Sequence, residues 1–251
     1  MHFRLPKPLH GWREFSGEVG IIVIGVLIAL GAQQVVSRFD DRAELRDAEA
    51  AMVSELRDDD LPQAYTRAAI YNCYAQQIDS IEKAVASGDR ERVLSLAKAY
   101  KPVVRTWDDE AWKAALASQV LVHSGSKRML GWSTAYVMIP ELGKTAEAEQ
   151  EQLPHLRSNL SGTGSLSPDQ QDRLFDTVSV VRGNNRAMSG ESLVLIKFVG
   201  DIGLKLSEAQ KHALLGDARK KFGGCVSEPS PERMNLQTQL PTASDAPFKS
   251  N

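Results

Sequence analysis

The chain has 251 residues, with 30 Lys and Arg against 32 Asp and Glu and a formal net charge of −2. At 42% hydrophobic and 25% charged residues, the composition is that of an ordinary globular protein with room for one domain or two small ones. Basic residues are interleaved with acids throughout, which argues against a nucleic-acid partner, since such partners draw a basic patch or a high pI.

The first element breaks this average. Val19–Val36 holds no charged residue, and from Val19 to Ala32 no polar side chain. A helix needs roughly 20 mostly apolar residues to cross a bilayer, so this segment, edged by Phe15 and Phe39, is at the short end of a span. Glu18, Gln33 and Gln34 fall near its interfaces, where polar groups cost less than at the centre. Three readings compete. An ordinary core helix is amphipathic, and this one is apolar all round. A cleaved signal peptide fits Arg4, Lys7 and Arg13 as a basic leader and Ala29-Leu30-Gly31 as a loose cleavage site. An uncleaved anchor fits best. Flanking Lys and Arg counts are nearly balanced; a short leader nonetheless stays behind more readily than a large domain, which places the amino terminus in the cytoplasm and the domain outside it. Trp12 suits an interfacial anchor.

Beyond the anchor the pattern is helical. Leu45, Ala48, Met52 and Leu56 recur at three and four residues, predicting that the anchor runs on through Ala43–Leu56. Asp58-Asp59-Asp60 before Leu61-Pro62 predicts a break. A second helix covers about Gln63–Ser87 with Tyr71, Tyr74, Ile78, Ile81 and Val85 on one side. Asp89 opens a short helix through Ala99. Thr106, with Asp109 three residues on, opens another through Val122. Lys127–Gln152 reads as a helix kinked or broken at Pro140, and Ser158–Leu166 as a Gly/Ser loop. Ser167-Pro168-Asp169-Gln170 is the clearest helix start, with Leu174, Val178, Val181, Met188, Leu195 and Val199 on the following core face. Ser207 with Gln210 starts a last helix that Gly223-Gly224 ends. Strand signals are scarce, and no repeat is visible.

These elements predict an all-α protein: a leader over 1–18, a transmembrane helix over 19–39, an extracytoplasmic helical bundle over 40–225, and a proline-containing disordered tail over 226–251. Cys73 and Cys225 either form one bridge, as an oxidising compartment allows, or remain two buried thiols. They are too few for a cysteine-based zinc site.

Gly17-Glu18-Val19-Gly20-Ile21-Ile22-Val23-Ile24-Gly25-Val26-Leu27-Ile28-Ala29-Leu30, then Gln34 and a charged helix, resembles the opening of a family of uncharacterised bacterial single-pass membrane proteins, "Gly-Glu-Ile/Val … Val-Ile-Gly-Ile/Val-Leu-Ile-Ala-Leu". The resemblance covers roughly Trp12–Leu56. It implies an uncleaved anchor and a helical remainder, and assigns no activity.

Candidate chemistry is sparse. Gly25, Ala29 and Gln33 share one face of the span, where small residues and an amide suit contact with a second copy or another membrane protein; an amide reaching water at the membrane edge explains Gln33 equally well. Ser161-Gly-Thr-Gly-Ser165 lacks the strand and Lys of a phosphate loop. The five histidines show no metal-ligand spacing, and His123 beside Ser124 has no nucleophile-elbow context. Asp108, Asp109 and Glu110 suit a helix start better than an acid/base pair. Trp107, Trp112 and Trp132 are core or groove residues, and a pocket shared among them is the place to look for a ligand. No cofactor, metal or catalytic residue is expected. The partners are the bilayer and another membrane protein or a second copy, with a function in binding or assembly at the cell envelope. The alternatives are a periplasmic enzyme with dispersed catalytic residues, or a soluble protein secreted after signal cleavage.

Overall fold

The computed structural model describes residues 12–103, 106–158, 160, 162 and 164–230. The expected basic leader before Trp12 and the tail from 231 onward lie outside them, as do the side chains of Trp12 and Glu18. Among the described residues the structure is all-helical, with no strand.

The first helix, α1 (Trp12–Ser54), passes through a π-helical turn, Glu55–Asp60, into α2 (Leu61–Ala69). From Phe15 to Ala69 this is one helical run of 55 residues, roughly 80 Å at the α-helical rise. The break expected at Asp58–Pro62 is therefore absent. Pro62 has no N–H to return to residue 58, and its ring crowds the preceding turn. The chain meets this by widening one turn, so that the Leu61 N–H reaches back five residues to the Leu56 carbonyl. The extra residue keeps Met52, Leu56, Leu61 and Ala64 on one buried stripe. Packing of that stripe outweighs the local stop signal.

α1 has two halves. The side chains described from Phe15 to Asp40 are exposed, Gly20 being the one half-buried position, and the apolar 18-residue window within this stretch is 0% buried. This helix is long and apolar enough to cross a membrane. Burial begins at Asp41 and deepens to Met52 and Leu56, both fully buried.

At Ile70 the helix steps aside and α3 (Tyr71–Ala86) begins, dividing what the periodicity reads as one helix. α4 (Arg90–Ala99) follows, capped by Asp89, whose side chain accepts from the Arg92 N–H. α5 (Glu110–Ala117) starts three residues later than the Thr106 signal predicts and gives way to a 3₁₀ turn at Val120–His123. α6 (Ser126–Tyr136) and α7 (Met138–Ser158) divide at Val137, three residues before Pro140. The break falls upstream and leaves Pro140 in the first turn of α7, where its missing N–H has no intrahelical partner to lose; Pro154 sits inside the same helix without ending it. α8 (Pro168–Asp201) opens with a complete capping box, Ser167 and Gln170. α9 (Glu208–Phe222) opens with another, Ser207 and Gln210, and ends at Gly223 with φ +79.

The domain holds two main apolar cores joined end to end. The core nearer the exposed half of α1 gathers Met52, Leu56 and Leu61 with Trp132, Tyr136, Ile139, Met188, Leu195 and Val199. The farther core gathers Tyr74, Ile78, Ile81 and Val85 with Val93, Leu156, Leu174, Val178 and Val181. α7 and α8 run antiparallel through both, since the start of α7 and the end of α8 meet in the near core. The chain past Cys225, expected to leave the domain, first stays on it: Val226 is buried and the Ser227 N–H donates to the Ala69 carbonyl at 3.1 Å. The bridge to α3 holds this segment against the carbonyl that the end of α2 exposes.

Candidate functional site

Between the two cores lies a charged centre that no spacing in the sequence announces. Arg67 of α2 is buried, and its guanidinium forms an ion pair with buried Glu149 of α7. It also donates to Asn185 Oδ1 at 3.0 Å and Ser189 Oγ at 3.4 Å on α8. The Tyr74 ring lies 4.9 Å beneath it. A lone buried charge costs several kcal/mol, so each partner requires the other. The cluster ties three helices in one register. The cavity beside it, lined by Gln63, Thr66, Arg67, Trp107 and Met188, has a volume of about 20 Å³, enough for a water and too small for a substrate.

The second polar feature surrounds the π turn. Asp60 is fully buried, and neither carboxyl oxygen makes a hydrogen bond of good geometry. Burial, then the charges of Glu55, Asp108 and Asp59, push its pKa up to about 8 against a weak opposing pull from the Asp108 backbone amide. It is thus a largely neutral acid at pH 7. Glu55 accepts from the Ala111 N–H at the start of α5, 2.9 Å away, where a carboxylate meets the positive end of the helix. The Tyr136 hydroxyl donates to the Met52 carbonyl at 3.2 Å, and burial together with Glu55 raises its pKa. Trp112 stacks on Tyr136 with centroids 5.3 Å apart. None of the four clefts described here is lined by Asp60, and no group of His, Cys, Asp and Glu among the described residues is placed to hold a metal.

An open groove of about 620 Å³ lies where α2, the end of α8 and the start of α9 meet. That volume is within the range of small-ligand sites. Leu61, Leu193, Ile196, Leu204 and Leu206 make its apolar floor, and Lys197, Lys205 and Lys211 stand on its rim among Asp201, Glu208 and Glu228. Lys197 pairs with Asp201 at 3.0 Å and Lys211 with Glu208 at 2.7 Å. The floor also holds Tyr65, 5% exposed, whose hydroxyl has no hydrogen-bond partner among the described residues. Burial, helped by Glu228 and Glu208, pushes its pKa up to about 12. It remains a neutral donor and acceptor beside the groove.

The residues singled out in the sequence are distributed as follows. Cys73 and Cys225 are joined in a disulfide with Cα atoms 5.0 Å apart, across 152 residues of sequence. Gly25, Ala29 and Gln33 sit on the exposed half of α1, with open space where a Gly25 side chain would be. The three tryptophans share no cleft: Trp107 lines the small central cavity, Trp112 covers Tyr136, and Trp132 lines an open groove beside α6. His123 faces Asp41, while the Ser124 hydroxyl donates to the Leu121 carbonyl, so the two form no catalytic pair. In the Ser161–Ser165 loop, the carbonyls of Gly164 and Ser165 accept from Arg90 at 2.9 and 3.2 Å. That polarity suits a cation, the reverse of a phosphate loop. Residues 161 and 163 lie outside the described residues. Asp109 flanks the start of α5 and pairs with Lys113 at 2.7 Å.

No family model, curated protein or solved structure matches this chain.

Proposed function

We infer that the protein is a single-pass, membrane-anchored helical module of the bacterial cell envelope that acts by binding or assembly, with its amino terminus cytoplasmic and its domain periplasmic. The observation that carries this reading is the division of α1: an apolar, wholly exposed half that nothing in the domain covers, continuous with a half that is the spine of the core. An exposed apolar surface of that size calls for a partner phase, and a bilayer satisfies it. The Cys73–Cys225 bridge supports an oxidising compartment. The likeness of Gly17–Leu30 to the anchored bacterial family supports an uncleaved span. The groove floored by Tyr65 is the surface offered to a partner in the periplasm, and the Gly25, Ala29, Gln33 face is the surface offered within the bilayer.

Carbonate extraction of membranes tests the anchor: the protein stays in the pellet, and release to the supernatant would defeat the reading. An intact mass that includes Met1–Gly31 separates an anchor from a cleaved signal. Crosslinking in native membranes from Lys205 on the groove rim tests the binding surface, with loss of the adduct expected on filling the groove by Gly200→Trp. A second reading, a periplasmic enzyme, is favoured by Asp60, because strongly shifted acids cluster at reactive sites.

A further inference from the structure

The segment from α5 to α6 forms a hairpin laid along α1, and the ion pairs give its direction. At its start, the Ala111 N–H meets Glu55. At its tip, His123 Nε2 lies 3.9 Å from Asp41 Oδ2. On the return, Arg128 pairs with Glu49 at 2.6 Å. The hairpin therefore descends α1 from Glu55 to Asp41 and climbs back to Glu49, and its tip points toward the apolar half of the helix. Asp41 is also where burial of α1 begins, so the tip is the edge of the domain nearest the exposed half.

On the reading that Val19–Val36 spans the bilayer, the level of the tip follows. Asp41 stands five residues past Val36, about 7 Å along the helix. The headgroup layer on each side of the hydrocarbon is about 5–7 Å thick. The Asp41 contact is thus at the outer edge of the headgroup layer, beside the helix that fixes it there. We propose that the Gln119–Gly125 tip is a second membrane contact, seating Val122 in the headgroup zone of the leaflet from which α1 emerges.

The composition of the tip fits that occupant. Val122 is 70% exposed although it lies between buried Leu121 and the His123–Asp41 contact. From Ala111 to Pro140 the sequence contains no Asp or Glu, while it contains Lys113, His123, Lys127 and Arg128. Glu110 stands at the end of the hairpin away from the tip, so no carboxylate near the tip opposes lipid phosphates, and basic residues near such a surface are attracted to it. On α1 the nearby Asp40, Asp41, Glu44 and Asp47 alternate with Arg38, Arg42 and Arg46, so that stretch carries both signs of charge. The tip is also held in an uncommon backbone: Gln119 has φ +58, the one non-glycine positive φ among the described residues. Such conformations cost energy and persist where the surroundings enforce them.

The test uses the full chain reconstituted in vesicles of phosphatidylcholine with phosphatidylglycerol, its own disulfide intact. Nitroxide labels are placed one at a time at Val122→Cys, at Ser118→Cys beside it, at Ile24→Cys in the span and at Glu91→Cys on α4 in the far half of the domain. Collision with oxygen, which concentrates in lipid, is compared with collision with a water-soluble nickel chelate. The expected result is a severalfold drop in nickel accessibility at 122 relative to 91, with oxygen accessibility between those at 91 and 24. A label at 122 that matches 91 while 24 reports hydrocarbon overturns the proposal and leaves the anchor standing. A label at 24 exposed to nickel removes the anchor itself. Shielding at 122 from both reagents assigns the tip to a protein partner and overturns the lipid contact.

Discussion

Asp60 makes the sharpest prediction at the scale of single residues. Its folded-state pKa of about 8 stands above the unfolded value near 4. Between those limits the folded chain holds a proton that the unfolded chain has released, so stability falls as pH rises from about 4 to 8 and levels off above. The accumulated cost is on the order of a few kcal/mol. Asp60→Asn removes the titration. The expected outcome, read by thermal melting at a series of pH values, is equal stability near pH 4 and a more stable variant at pH 8; parallel curves across the range would refute the assignment. Asp60 and Arg67 were both opaque in the sequence for one reason. Each draws its meaning from residues far along the chain, Asp108 for one and Glu149 and Asn185 for the other, and no local pattern encodes such partners. The groove has the same character: its lining runs from Leu61 to Pro229.

Elements fared differently because many of their signals are local. The capping boxes at Ser167 and Ser207 are complete in the structure, each serine accepting from the glutamine three residues on. Removing one hydroxyl leaves an N–H at the helix start unmet, so Ser167→Ala and Ser207→Ala should each cost about 1 kcal/mol in chemical denaturation. A loss indistinguishable from zero for both would mean that water replaces the cap. The six apolar positions expected along α8 are all buried. The π turn was the element most easily misread. Acids followed by Pro62 have the local form of a helix start, and only burial of Leu61 and Ala64 beside Met52 and Leu56 makes the helix continue. One trace of it is present in the sequence: the buried stripe advances by four from Met52 to Leu56 and then by five to Leu61, the count of one inserted residue. Pro140 teaches the converse: a break does occur near it, at Val137 upstream, whereas Pro154 sits inside α7 with no break.

At the scale of the whole molecule, the two cores depend on long-range closure. The bridge joins α3 to the end of α9 across 152 residues, and a loop of that size is worth up to about 4–5 kcal/mol in the chain-entropy model. The double variant Cys73→Ala/Cys225→Ala, or the native chain under reductant, should melt well below the oxidised protein; coincident melting curves would show that packing alone closes the domain. All-α architecture and a single apolar run were legible from periodicity and hydropathy. The division into near and far cores was not, because it arises from how α7 and α8 pass each other.

The position of the bridge has one more consequence, which concerns shedding. Cys73 and Cys225 bracket α3 through α9, while the apolar half of α1 lies outside the bracket on the amino-terminal side. A protease that nicks the Ser158–Leu166 loop breaks the backbone but frees nothing, since both pieces stay joined through sulfur. Detaching the domain from the bilayer requires a cut before Cys73. From Phe15 to Ala69 that stretch is unbroken helix, whereas proteases act on exposed, locally extended segments. On the anchored reading, the envelope keeps this domain even when the loop after α7 is clipped, and the piece beyond the clip is freed only once the bridge is reduced as well.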